Sequence, residues 1–352
     1  MPNQQVMRDS GIRPDLDRMP QLNAMLTSLG LGTLAPDSVT TFAGRNHNWA
    51  GTTDAGIRVF VKQIGGDAND ASIRLRRAIT VKTSHLAVPR CLGWDDKTRL
   101  MVFELLTPAS NGARLAADGE FGNGLARQAG RLIAALHGAR LPVERADAYP
   151  PVEPLESLSW QAFAHATGAE LELWRILQSD GSMIPAVRRL HAEQQAATPT
   201  PVHCDLRLDQ FLACEGRLYL TDFEELRLAD PARDIGAFAG EWLHHSVIQI
   251  GGATAELSHE DIVDLATAEF ERVRPLISAF WRAYVTGLDR PDGTLVRRAT
   301  VFAGWHQFTR AFAKAHKRSR LSALDRATVG IGRLAMLDPD GFADAIGLGA
   351  TS

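Results

Sequence analysis

Cysteine is scarce in this 352-residue chain: Cys91, Cys204 and Cys214 are its only three, with no C-x-x-C spacing. That excludes a disulfide framework and a zinc knuckle. No run of about 18 apolar residues occurs, so no membrane span is expected. Met1–Asp17 is polar and lacks the apolar centre of a signal peptide, so a cytoplasmic protein is expected. A net charge of −3 gives no reason to expect nucleic acid as a partner. Two further absences are local. No Asp or Glu occurs between Ala71 and Trp94, and none between Gly293 and Leu324, a stretch holding Arg297, Arg298, Arg310, Lys314, Lys317, Arg318 and Arg320. Hydrophobic content of 45% and charged content of 22% are those of a globular protein long enough for two modest domains or one with lobes.

Residues 1–37 read as a polar arm followed by a short helix, Pro20–Leu29, stopped by Gly30 and Gly32. From Ser38 the period is that of strands: Ser38–Phe42, Trp49–Thr53 and Gly56–Gln63, then Val88–Trp94 and Arg99–Leu106. The loop Ala43–Asn48 joins the first two. Gly44 and Gly51 would let backbone approach phosphates closely, and Asn46 and Asn48 offer amide donors. No Gly-Lys-Ser/Thr follows, so this is not a Walker loop. Ala71–Ser84 reads as a helix. Beyond residue 106 the period becomes helical over Gly124–His137, Glu156–Leu177, Ser182–Ala196, Ile235–Ile248, His259–Val285, Leu295–Lys317 and Ser322–Leu337. Gly330–Ala335 matches a dinucleotide fingerprint in letters, but it lies too near the C-terminus for a βαβ unit.

The stretch Val202–Glu225 organises the rest. A polar loop, His203–Gln210, leads into two apolar runs, Phe211–Ala213 and Leu218–Leu220, parted by a turn at Cys214–Arg217. This is a β-hairpin with Asp205 before it and Asp222 after it. Two carboxylates so placed suit phosphoryl transfer, in which one orients the attacking hydroxyl and another holds Mg²⁺ against nucleotide phosphates.

These residues resemble the aminoglycoside phosphotransferases and their choline-kinase-like and small-molecule-kinase relatives. The family pattern is His-Gly-Asp, four residues, Asn, a short hairpin, and Asp-Phe/Trp-Gly/Glu. The resemblance covers roughly Ser38 to Glu241. It implies an α+β, bilobal protein-kinase-like fold, with an antiparallel-sheet N-lobe over 38–106 and a mainly helical C-lobe over 107–352 carrying the hairpin 202–225. It implies ATP and Mg²⁺ as cofactors. Residue by residue, it implies that Asp205 would be the catalytic carboxylate, that Asp222 and Gln210 would hold the metal, and that His203 would brace the loop. Lys62 would contact the phosphates, along with the loop residues Gly44, Asn46 and Asn48. Glu104, Leu105 and Leu106 would form the hinge that meets adenine, and the acids of Asp230–Asp234 would be structural. Three departures stand out. Cys204 occupies the usual Gly position and Gln210 the usual Asn. The helix glutamate that normally pairs with the strand lysine is missing, with Arg76 and Arg77 near its place.

Gly44–Gly51, Asp205–Phe211 and Asp222–Glu225 are further similar to kinase-like subunits of class V lanthipeptide and thioamitide biosynthesis, a peptide natural product chemistry. That implies phosphorylation of Ser or Thr in a ribosomally made peptide, with elimination by a partner lyase. The acid-free basic stretch 293–324 points the same way, towards an acidic acceptor. A small-molecule phosphotransferase and a non-catalytic kinase-like scaffold are the alternatives.

Overall fold

The computed structural model describes residues 20–42, 45–84, 86–253, 259–287 and 292–349. These separate into two compact units. One takes the chain up to Asp118 together with Asp209–Leu226; the other takes Gly119–Leu208 and the chain from Arg227 onward. The first stretch of the first unit runs α1 (Pro20–Ser28), β1 (Thr40–Phe42), β2 (His47–Thr52), β3 (Arg58–Gln63), α2 (Ala68–Ala78), β4 (Cys91–Asp95), β5 (Leu100–Glu104), β6 (Ala109–Asn111) and α3 (Gly112–Ala117). The second unit opens with α4 (Asn123–Gly138), α5 (Glu153–Glu156), α6 (Trp160–His165), α7 (Gly168–Ser179), α8 (Met183–Ala196) and β7 (Thr200–Val202). The chain then returns to the first unit as β8 (Phe211–Cys214) and β9 (Arg217–Leu220). It ends in the second unit with β10 (Arg227–Ala229), α9 (Ala232–Ala253), α10 (His259–Val285), α11 (Leu295–Ala315), α12 (Ala323–Leu337) and α13 (Pro339–Ile346). No described helix is long and apolar enough to cross a membrane.

The first unit is built on a five-stranded antiparallel sheet in the order β1-β2-β3-β5-β4. Side chains alternate across a strand. Val59 and Val61 of β3, with Leu100 and Val102 of β5, therefore share one face, where they pack on Leu22, Met25 and Leu26 of α1. Met101 points to the other face and packs with Ala71, Leu75 and Ala78 of α2. Those three lie at helical spacing on one side of α2, and Arg74 falls among them, 3% exposed. Asp67 caps this helix by accepting from Asn69 N and Asp70 N. A smaller sheet, β6-β8-β9, holds the hairpin.

In the second unit the span expected as one helix, Glu156–Leu177, begins at the end of α5 and holds two separate helices, α6 and α7. Ser159 caps α6 through Ala162 N, and Thr167 caps α7 in a capping box with Glu170. These hydroxyls satisfy the first free amides of a new helix, which ends the preceding one. The bundle core is aromatic, with Phe238 and Phe280 stacked at 3.9 Å between ring centres. The fingerprint glycine Gly332 lies where a Cβ would stand 2.6 Å from the Gly304 carbonyl oxygen, so it serves the contact of α12 with α11.

A buried ion pair ties α11 to the segment after β10. Arg298 donates from Nε to Asp230 Oδ2 at 2.7 Å and from Nη2 to Oδ1 at 3.1 Å. Asp230→Ala would leave that guanidinium buried with only Asp292 and Thr294 at its third nitrogen. Loss of about 3 kcal/mol or more of stability is expected, read from the urea midpoint. Asp230→Leu combined with Arg298→Met should recover most of it, because neither charge is then stranded.

Candidate active site

The face of the sheet opposite α1 lines a cavity of about 390 Å³, within the first unit. The volume is that of a small-molecule site. Phe60 and Lys62 of β3 and Met101 and Phe103 of β5 reach it by the same alternation that buries their neighbours. Phe42, Val88, Leu212 and Leu220 complete apolar walls, while Glu104, Leu105 and Leu106 form one edge. Lys62, Gln210 and Asp222 lie at the polar end. The cavity is thus an apolar slot with charged and amide groups at one end.

Lys62 is 9% exposed. Its Nζ stands 2.5 Å from Asp222 Oδ1 and also pairs with Glu224 Oε1. Burial pushes the ammonium pKa down, but the charges of Asp222 and Glu224 outweigh it and leave the pKa raised. Asp222 sits in the left-handed region at φ 68°, directly before a short 3-10 turn, Phe223–Glu225. Its Oδ2 meets Gln210 Nε2 at 3.3 Å, and Gln210 O accepts from Thr221 N, which closes the base of the hairpin.

Glu224 is the centre of this polar end. Its Oε1 accepts from Asn46 Nδ2 at 2.7 Å. Its Oε2 accepts from Arg74 Nε at 3.1 Å, from Arg74 Nη2, and from Arg45 Nη2 at 3.3 Å. Asn46 Oδ1 in turn accepts from Gly65 N and Arg74 Nη2, each at 3.0 Å. Glu225 pairs with Arg45 at 3.0 Å.

Asp222 and Gln210 fit a magnesium ion by donor chemistry. They are a carboxylate and an amide in contact, and turning the amide presents its carbonyl oxygen beside Asp222. Mg²⁺ takes hard oxygen donors and is commonly held by one or two carboxylates plus phosphate and water. Among the described residues, no group of three or more His, Cys, Asp or Glu could hold a metal.

Asp205 lies in the second unit, on the loop after β7. Its side chain is 44% exposed and accepts from Arg207 Nη1 at 3.1 and 3.4 Å. The loop is fixed from below by Asp234, whose oxygens accept from His203 N at 2.7 Å and Cys204 N at 3.1 Å. Burial pushes the Asp234 carboxyl up, but His137 and His203 more than offset this and hold it low. Cys204 has φ 67°, a conformation that favours glycine, and Arg233 Nη2 reaches its carbonyl at 3.0 Å.

Several expectations need correction. The helix residue facing the lysine's partner is Arg74, not Arg76, whose side chain is 72% exposed. Beside Asp222, Lys62 has a second carboxylate, Glu224, to which the sequence reading gave no role. An arginine on the apolar side of α2 was the available signal, because a buried guanidinium needs a buried acid. Asn46 donates one amide hydrogen to Glu224, and Asn48 Nδ2 donates to Asn46 O at 3.3 Å. Gly51 faces Leu34 and Ser38, with a Cβ position 3.1 Å from Leu34 Cδ2, which makes it a packing glycine. Gly44 lies outside the described residues. The basic stretch is largely neutralised: Arg297 pairs with Glu193, Arg298 with Asp230, Arg310 with Glu241 and Arg318 with Asp325. Its appearance of excess charge comes from partners supplied by other parts of the chain.

A family model described as the phosphotransferase enzyme family matches residues 38–293. Comparison with curated proteins gives no match. Among solved structures, a choline/ethanolamine kinase family protein from Mesorhizobium loti has 16% identity and a TM-score of 0.54, covering 95% of this chain and 99% of its own. An amicoumacin kinase in complex with AMP-PNP, Ca²⁺ and Ami has 14% identity and a TM-score of 0.56, covering 93% and 95%. An ethanolamine kinase from Plasmodium vivax has 12% identity and a TM-score of 0.55, covering 92% and 88%. At such identities the likeness carries the fold, not the acceptor.

Proposed function

The chain belongs to the phosphotransferase enzyme family, moving a phosphoryl group to an alcohol, and on that premise we propose that its donor is ATP bound with Mg²⁺. The observation that carries this is the pairing of a buried Lys62 with Asp222 at the polar end of an apolar slot. The base would lie between the apolar walls, its edge against the backbone of Glu104–Leu106. Lys62 would steady the phosphates, while Asp222 and Gln210 would hold the metal, which supplies charge neutralisation at the transferred group. Asp205 would accept a hydrogen bond from the acceptor hydroxyl and take its proton late in the step.

For the acceptor, the first reading we propose is a small hydroxylated molecule, the class named in the descriptions of the choline, ethanolamine and amicoumacin kinases that share the fold, though the fold itself does not select it. A peptide Ser or Thr is the second reading, and elimination would then fall to a partner lyase. It is favoured by the exposed stacked pair Trp160 and Phe163 on α6, a surface more suited to a macromolecule than to an amino alcohol. The non-catalytic reading loses its main ground, because Lys62 does have a second carboxylate.

Calorimetric titration with ATP and GTP, with and without Mg²⁺, tests the donor. Binding that depends on Mg²⁺ is the expected result. No binding at millimolar nucleotide would refute the proposal.

A further inference from the structure

Asp222 has two duties in the proposed site that compete. A carboxylate bound to a divalent cation holds a neighbouring ammonium less firmly, because the metal draws on the same charge and repels the lysine. Something else must keep Lys62 in place when the metal site fills. Glu224 has the required position and no share in the metal. One of its oxygens meets Lys62 and Asn46, and the other meets Arg74 and Arg45. Glu224 and Arg74 are each 3% exposed, so this contact is shielded from water. Two positions after Asp222, it is on the same turn as the proposed metal ligand.

We propose that Glu224 is the positioning residue for Lys62, and that Arg74 of α2 fixes Glu224. The inference rests on the proposed nucleotide site. The missing helix glutamate is then replaced by an inverted arrangement, in which the helix provides the cation and the turn provides the anion. The lysine still receives a carboxylate. The charges are balanced locally: Arg45, Lys62 and Arg74 meet Asp222, Glu224 and Glu225. Asn46 adds stiffness, because its amide joins Glu224, Arg74 and the Gly65 backbone. Any displacement of α2 thus reaches Lys62 through Glu224.

A double-mutant cycle on the full chain separates this from a merely structural role. Mg²⁺-dependent ATP affinity is measured for the unchanged protein, Glu224→Gln, Lys62→Met and the double variant, with melting temperatures alongside. Glu224→Gln is expected to weaken ATP about tenfold or more, with Glu224→Asp recovering part of the loss. In the Lys62→Met background it should cost less than about twofold, because there is no lysine left to position. Equal weakening in both backgrounds, or none in the unchanged background, overturns the proposal. Should Glu224→Gln fail to fold, Arg74→Met/Glu224→Gln removes one charge of each sign and enters the cycle in its place. If the unchanged protein binds no nucleotide, the site reading itself has failed and this inference falls with it. If the unchanged protein binds and the cycle shows no coupling, only the inference falls.

Discussion

Asp205→Asn is expected to leave Mg²⁺-dependent nucleotide binding within about twofold of the unchanged protein and to lower phosphoryl transfer by about 10²–10⁴-fold. Asn has nearly the same shape, and its carbonyl can still accept from Arg207. The pair it disturbs is half exposed, so the effect on stability should stay below about 1 kcal/mol. What Asn cannot do is accept the hydroxyl proton. Single-turnover transfer measured beside calorimetric affinity resolves the two effects. Turnover within a few-fold of the unchanged enzyme would remove Asp205 from the catalytic role. The base fixing its loop matters equally for interpretation: Asp234 holds the backbone at His203 and Cys204, so the substitution leaves the loop's own supports in place.

Asp222→Ala should have the opposite signature. The Mg²⁺-dependent part of nucleotide affinity is expected to fall by about 100-fold, because a charged oxygen donor is lost outright. Affinity without Mg²⁺ should change far less, since Lys62 keeps Glu224. The alanine also has to sit at φ 68°, which costs about 1 kcal/mol where no glycine is present. Asp222→Asn serves as the control, because Asn tolerates that conformation while giving up the charge. Titration with ATP at fixed Mg²⁺ and in chelator reads both terms. Equal affinity for the Ala variant and the unchanged protein in Mg²⁺ would transfer the metal role elsewhere.

Much of the first unit could be read from alternation. Gly56–Gln63 reads as a strand and β3 runs Arg58–Gln63, but only the structure shows that Val59 and Val61 face α1 while Phe60 and Lys62 face the cavity. The family-like string around Asp222 was equally plain. The role of Glu224 was not, because its partners Lys62 and Arg74 lie far away in sequence and periodicity reports only neighbours. The same limit misled the basic stretch. Arg297 and Arg310 find their acids on α8 and α9, which no local charge count shows. At Glu156–Leu177 hydrophobic spacing overran two capping hydroxyls, Ser159 and Thr167, which decide locally against continuation. At Cys204 the departure from glycine remains compatible with the loop: the residue adopts the left-handed conformation anyway, and Asp234 and Arg233 bond its amide and carbonyl.

The first unit leaves its own chain at Asp118 and regains it at Asp209. During synthesis, therefore, the sheet and α2 emerge well before the turn that completes them. Until Leu226 is out of the ribosome, Lys62 and Arg74 belong to a half-built domain with two cations on an apolar face and Glu224 not yet made. A protein assembled in this order has the early walls of the proposed nucleotide site long before its polar end is complete. The proposed metal ligands, Gln210 and Asp222, and the carboxylate that would position Lys62 arrive together, as one late event in the life of the nascent chain.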